Sequence, residues 1–163
     1  MSTALPTRPR SFGSNSTIAI VRSKYNEELT QSLLDSCLKE LKQILPDAVV
    51  TVTETAGSFE IPMAVEHVIK AQQPEAVIAL GLIIRGETMH GDLIAASITN
   101  SLQEIAVRHV KPVIHEVLLV NNKDQAYARC IGSDLNRGHE AARAVHTMLK
   151  AFEPPAREKK APF

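Results

Sequence analysis

Four short apolar, β-branched runs, at residues 17–21, 49–52, 76–84 and 112–120, alternate with longer segments whose apolar residues recur every three or four positions. The short runs are near-continuously hydrophobic, the pattern of strands covered on both faces in a parallel sheet. Leu29, Leu33, Leu34, Cys37, Leu38 and Leu41 mark one helical stripe, and Ile61, Ala64, Val65, Val68 and Ile69 a second. Ile94, Ala95, Ile98, Leu102 and Ile105 mark a third, and Ala141, Val145, Met148 and Leu149 a fourth. The order is βαβαβαβα, which predicts an α/β fold: a four-stranded parallel sheet with right-handed crossovers and helices on both faces, three layers in all. Ligands in such folds sit beyond the carboxyl ends of the strands. Chemistry is therefore expected in residues 22–26, 54–60, 81–92 and 119–122.

Composition narrows this picture. With 163 residues and 44% hydrophobic content, the chain suits one domain with a real core. Lys plus Arg and Asp plus Glu both number 18, so no basic surplus exists to gather nucleic-acid phosphates or an anionic membrane. A phosphate has to be recognised locally. Cys37 and Cys130 have no close-spaced partners, so neither a disulfide framework nor a cysteine zinc site is expected, and a reducing cytoplasm fits. Residues 1–16 are rich in Ser, Thr, Pro and Arg without an apolar core, and read as a flexible arm rather than a secretory signal. No apolar run approaches the roughly 20 residues needed to cross a bilayer. Glu153-Pro154-Pro155 stops a helix, so residues 153–163 are expected to be a disordered tail and residues 17–152 the folded domain.

Within the search area, residues 81–92 carry the most information. A strand ends at Ile84, the chain turns at Gly86 and a helix begins near His90, so unpaired amides at the helix start offer a phosphate seat. An imidazole beside that seat moves protons near neutral pH. The same residues are also compatible with a polar turn capped by Thr88. At residues 56–62, Gly57 allows close backbone approach and Glu60 can accept hydrogen bonds from sugar hydroxyls, while Ser58 alone would serve as a helix cap. Arg129 and Arg137 flank a break at Gly132-Ser133 and suit phosphate, although taken singly each reads as a solvated arginine. His67, His109, His139 and His146 lie in helical segments and read the same way. His115 differs, because it interrupts an apolar strand and must be hydrogen-bonded or near a site. His90 and Asp92 are spaced as metal ligands, but no third ligand stands out and no metal is expected.

Read together and in order, these segments resemble the lumazine synthase family. An aromatic residue followed by Asn after the first strand is met by Tyr25-Asn26, and the family's Gly-small-Phe-Glu-Ile-Pro motif by residues 57–62. Leu-Gly-x-x-Ile-Arg-Gly-x-Thr-x-His-x-Asp is met by residues 80–92, and the late Gln-Ala-x-x-Arg and Asn-basic-Gly elements by residues 125–129 and 136–138. The likeness covers roughly residues 17–152. It implies a flavodoxin-like topology and a transferase of riboflavin biosynthesis, working without metal or organic cofactor. Such an enzyme condenses 5-amino-6-(D-ribitylamino)uracil with 3,4-dihydroxy-2-butanone 4-phosphate to 6,7-dimethyl-8-ribityllumazine, releasing phosphate and water. By position, Tyr25 and Asn26 with the backbone of Leu82, Ile83 and Ile84 are implied to hold the pyrimidine. Gly57, Ser58, Phe59 and Glu60 are implied to hold the ribityl chain, and the amides of Glu87 and Thr88, together with Arg129, the phosphate. His90 and Arg129 are the implied catalytic pair. The resemblance also implies a homo-oligomer built of pentamers with shared sites, Arg129, Arg137 and His115 coming from the adjacent chain, and riboflavin synthase as a candidate partner.

The chain departs from the family in places. His115-Glu116 stands where members commonly carry Phe-Gly, and Leu119 where they carry Thr; Gly91 and Leu93 replace bulkier residues. These changes fall on the pocket wall. The chain near Gly132 has no insertion relative to the shorter family form, which permits a sixty-subunit shell. A flavodoxin-like electron carrier would share the architecture, but Ser23-Lys24-Tyr25-Asn26 is not a Ser/Thr/Gly-rich flavin-phosphate loop, and a response-regulator receiver would need acidic residues after the first and third strands. A shell-forming or lumazine-binding relative without turnover is the remaining alternative, and retention of His90 and Arg129 argues against it.

Overall fold

Strands β1 (Thr17–Ser23), β2 (Val49–Thr55), β3 (Ala76–Ile84) and β4 (Val113–Val120) form a single parallel sheet in the order β2-β1-β3-β4. The computed structural model describes residues 4–11, 13 and 15–153. The expected tail therefore lies outside the described residues, Glu153 apart. Helix α1 (Glu27–Ile44) connects β1 to β2. A single 3-10 turn (Ser58–Glu60) and α2 (Ile61–Gln72) connect β2 to β3. Helix α3 (His90–His109) leads to β4, and α4 (Lys123–Cys130) and α5 (Arg137–Ala151) follow it. Pro62 sits in the first turn of α2, where a missing amide proton costs nothing.

Successive residues of the central strands feed two different cores. Ile18 and Ile20 of β1, with Ile78, Leu80 and Leu82 of β3, pack under α1, α4 and α5. Ala19 and Val21, with Val77 and Ala79, pack under α2 and α3. The expectation of strands covered on both faces holds for β1 and β3 and fails for the outer two. Val49 and Val52 of β2 are 58% and 43% exposed, and in β4 only Val117 and Val120 are buried. Position in the sheet explains this, because each outer strand has one neighbour and lies toward the margin of the helical layers. Helix α4 lies outside the four apolar stripes because it contributes only Ala126 and Cys130 to the core.

Close backbone approach joins α1 to α5. A Cβ on Gly138 would lie 2.3 Å from the Leu33 carbonyl oxygen and 2.9 Å from the Cys37 amide nitrogen, so only glycine lets these helices cross here. On the outer side of the same pair, the buried Glu40 carboxylate accepts from Arg8 at 2.9 and 2.7 Å and from Arg143 at 2.7 Å. Arg143 also donates to the Pro6 carbonyl, and His146 Nε2 lies 3.1 Å from the Arg10 carbonyl. The described part of the arm thus lies along α1 and α5.

The connections diverge between β1 and β3. From β1 the chain crosses to β2 on one side, and from β3 it crosses to β4 on the other. Loops leaving two adjacent strands in opposite directions open a crevice at their carboxyl ends.

Candidate active site

Beyond β1, the chain keeps pairing with the β2 connection. Lys24 N–H donates to the Thr55 carbonyl at 2.8 Å and Tyr25 N–H to the Ala56 carbonyl at 3.1 Å. Asn26 then takes a left-handed conformation with φ of 60°, which Asn tolerates better than most residues. Its side-chain amide donates to the Leu82 carbonyl at 3.2 Å, tying the turn to β3. Tyr25, just before this anchor, leaves its ring 71% exposed at the rim of the crevice.

After β2, Thr55 Oγ1 donates to the Gly57 carbonyl and Gly57 N–H donates to Glu60 Oε2, both at 2.9 Å. The Ser58 and buried Ser23 hydroxyls are 3.3 Å apart. The turn sits directly on β3, since a Cβ on Gly81 would be 2.9 Å from Ser58 Oγ and 3.1 Å from Val117 Cγ1. A side chain at 81 would therefore press on Ser58, Ile61 and Val117, whose side chains would have to shift.

After β3, Arg85 N–H donates to the Val120 carbonyl at 2.9 Å, extending the ladder by one residue. Its guanidinium turns back, with Nε and one terminal nitrogen 2.9 and 2.6 Å from Asp92 Oδ1 and the other terminal nitrogen bonded to Asn121 Oδ1. The guanidinium holds the Asp92 carboxyl below the usual carboxylate range, and Asp92 raises Arg85 in turn. Residues 86–90 are exposed between these fixed ends, and α3 begins at His90. The amides of its first turn have no partner within the helix, as the phosphate seat expected there requires.

These three loops surround one cavity of about 440 Å³. Tyr25 comes to its lining from the turn after β1, Gly57, Ser58, Phe59 and Glu60 from the connection after β2, Leu82, Ile83 and Ile84 from the end of β3, and Thr88 and His90 from the turn into α3. The cavity also takes in Gly86 and Gly91, from the 81–92 segment already expected to carry the site, and Ile94, which was expected only as part of a helical stripe. Ile94 follows His90 by one helical turn, so the i, i+4 spacing was the signal available for it.

Other expected residues are not brought into this cavity by the single chain. Asn26 acts as the strap behind Tyr25, and the exposed Glu87 flanks the turn without lining the space. Arg129 lies on α4, with one guanidinium nitrogen 3.2 Å from the Gln125 carbonyl. Arg137 is buried at the start of α5, paired with Glu140.

His115 lies mid-strand opposite Ala79, away from the strand ends, and faces α3. Its hydrogen bonds fix the tautomer. Thr99 Oγ1 donates to the Ala95 carbonyl at 2.8 Å, so His115 Nε2–H is the donor to Thr99 at 2.9 Å, while Nδ1 accepts from Val117 N–H at 3.1 Å. The neutral ring is fully satisfied. Among the described residues, no three His, Cys, Asp or Glu side chains are grouped to hold a metal ion, and no helix is long and apolar enough to cross a membrane.

The sequence profile of the 6,7-dimethyl-8-ribityllumazine synthase family matches residues 15–153. The 6,7-dimethyl-8-ribityllumazine synthase of Cytophaga hutchinsonii is 35% identical over 137 residues, covering 83% of this chain and 86% of that protein. Its namesake in Methylibium petroleiphilum is 34% identical over 142 residues, 86% of each chain, and that of Nitrosospira multiformis 34% identical over 145 residues, 88% of each.

Proposed function

The chain belongs to the 6,7-dimethyl-8-ribityllumazine synthase family, a family of transferases in riboflavin biosynthesis, and from that premise we propose how its cavity divides the work. The reaction joins 5-amino-6-(D-ribitylamino)uracil to 3,4-dihydroxy-2-butanone 4-phosphate. The primary amine attacks the ketone, water and then phosphate leave, and the second nitrogen closes the ring with loss of another water. Every step moves protons or expels a leaving group, so the protein's tasks are to position two substrates, receive a phosphate and relay protons.

In this reading the pyrimidine stacks on Tyr25 and meets the backbone of Leu82, Ile83 and Ile84, with Asn26 holding the turn that presents the ring. The ribityl hydroxyls meet Gly57, Ser58, Phe59 and Glu60. The phosphate takes the amides of Glu87 and Thr88 at the start of α3, and His90 relays protons between the condensing atoms. The observation that carries the reading is the single cavity, which brings Tyr25, Glu60, Thr88 and His90 around one space from three separate loops.

Arg129, Arg137 and His115 do not line this cavity within one chain, and, as the family resemblance implies, they are assigned to the cavity of an adjacent subunit. The unit proposed, as the family resemblance implies, is a pentamer whose sites lie between neighbours, and the chain length near Gly132 permits a sixty-subunit shell built from it. Riboflavin synthase, which consumes the product, is the partner this reading names, and the cytoplasm is its compartment.

Mixing the protein with both substrates and following lumazine absorbance and fluorescence tests the activity, and no product above the uncatalysed rate would overturn it. His90→Ala should slow turnover by about 10²–10⁴, the usual contribution of a general acid–base group, while leaving the assembly intact. Wild-type turnover in that variant would remove His90 from the chemistry.

A further inference from the structure

We propose that Arg85 is a positioning residue that aims the 86–90 turn and ties it, through Asn121 and Gln125, to the helix bearing Arg129; this rests on the roles given to His90 and Thr88 above. One side chain joins three segments. Arg85 leaves the last rung of β3, Asp92 lies in the first turn of α3, and Asn121 is the first residue after β4. All three guanidinium nitrogens are engaged, two on a single carboxylate oxygen and one on the Asn121 amide oxygen. The link continues beyond Asn121. Its N–H donates to Gln125 Oε1 at 2.9 Å, and Arg129 donates to the Gln125 carbonyl at 3.2 Å.

The turn has little else to define it. Residues 86–90 are exposed, and a Cβ on Gly86 would meet nothing within 4 Å. A segment so lightly packed takes its shape from its ends, and Arg85 fixes both of them. The pair is also half in water, at 42% and 37% side-chain exposure, where ion pairs contribute little to folding. The geometry therefore has a small role in stability and a direct one in aim, and misplacing a reacting group by about 1 Å can cost roughly 10²-fold in rate.

Arg85→Lys keeps the charge and removes the fork, so it isolates geometry from electrostatics. The expected result is a 10- to 100-fold fall in kcat, roughly the loss attributed to misaligned reacting groups, with thermal unfolding and oligomer size unchanged. In a His90→Ala background the same replacement should cost clearly less, because the turn then has only its phosphate-binding amides, and no imidazole, to aim. Asn121→Ala removes one acceptor on an exposed loop and should lose a smaller factor of about 3 to 10, again less in the His90→Ala background. It carries the test alone if the Lys variant fails to fold. Wild-type kcat in the variants, or a loss of equal size with and without His90, overturns the proposal. A His90→Ala enzyme at wild-type rate instead overturns the reading on which it rests.

Discussion

Glu116 and His115 are neighbours on β4 that point to opposite faces of the sheet, and burial pushes both away from their charged forms. The Glu116 carboxyl is raised to about 8 by burial and by Glu140, with Arg137 opposing. The His115 imidazole is lowered by burial. Their effects on stability have opposite signs. A carboxyl that holds its proton to about 8 in the fold but loses it near 4.3 when unfolded costs stability progressively as pH rises across that interval. The depressed histidine withdraws stability as pH falls below about 6.5, when the unfolded chain binds a proton that the folded one refuses. Above 6.5 only Glu116 acts. Glu116→Gln should therefore leave the melting temperature little changed at pH 5 and raise it at pH 8, by about 2–4 °C for each kcal/mol recovered. A gain of equal size at both pH values would show that the carboxyl does not titrate as its burial implies. His115 was conspicuous in the sequence as a polar break in an apolar strand. Within one chain the hydrogen-bonded explanation holds, through Thr99 and the Val117 amide, and it leaves the proposed place of His115 at a neighbour's site to the assembly.

At the scale of elements, the four long helices and the central strands were legible because their apolar spacing leaves one packing solution, whereas α4 and the edges were not. Residues 49–52 read like a covered strand, yet the neighbour on one side only leaves Val49 and Val52 of β2 in solvent. The α1–α5 crossing was equally hidden, because its determinant is the missing Cβ of Gly138 rather than any apolar stripe. Placing a methyl group 2.3 Å from the Leu33 carbonyl forces the helices apart, against backbone that cannot rotate away as a side chain can. Gly138→Ala should cost about 1–3 kcal/mol or more, the range for overpacking a close contact. Thermal unfolding would report this as a fall of several degrees, and an unchanged melting temperature would mean that the crossing relaxes without loss.

At the scale of the whole molecule, the residues of the candidate site split into two sets. Tyr25, Gly57, Ser58, Glu60, Thr88 and His90 meet around one cavity because their loops leave adjacent strand ends where the topology reverses, a placement readable from the strand order alone. Arg129 and Arg137 hang from α4 and α5, and nothing in the periodicity of one chain states where a neighbour's crevice will lie. A shared site has a consequence that an internal one lacks. If His90 of one subunit works with Arg129 of the next, two inactive variants, His90→Ala and Arg129→Ala, should complement each other once dissociated and reassembled together. In a ring of randomly mixed subunits, about one site in four receives an intact residue from both sides, so recovery of about a quarter of wild-type activity is expected. If both residues served the same chain's cavity, every subunit would carry a damaged site, and the mixed assembly would do no better than the average of its two inactive parents.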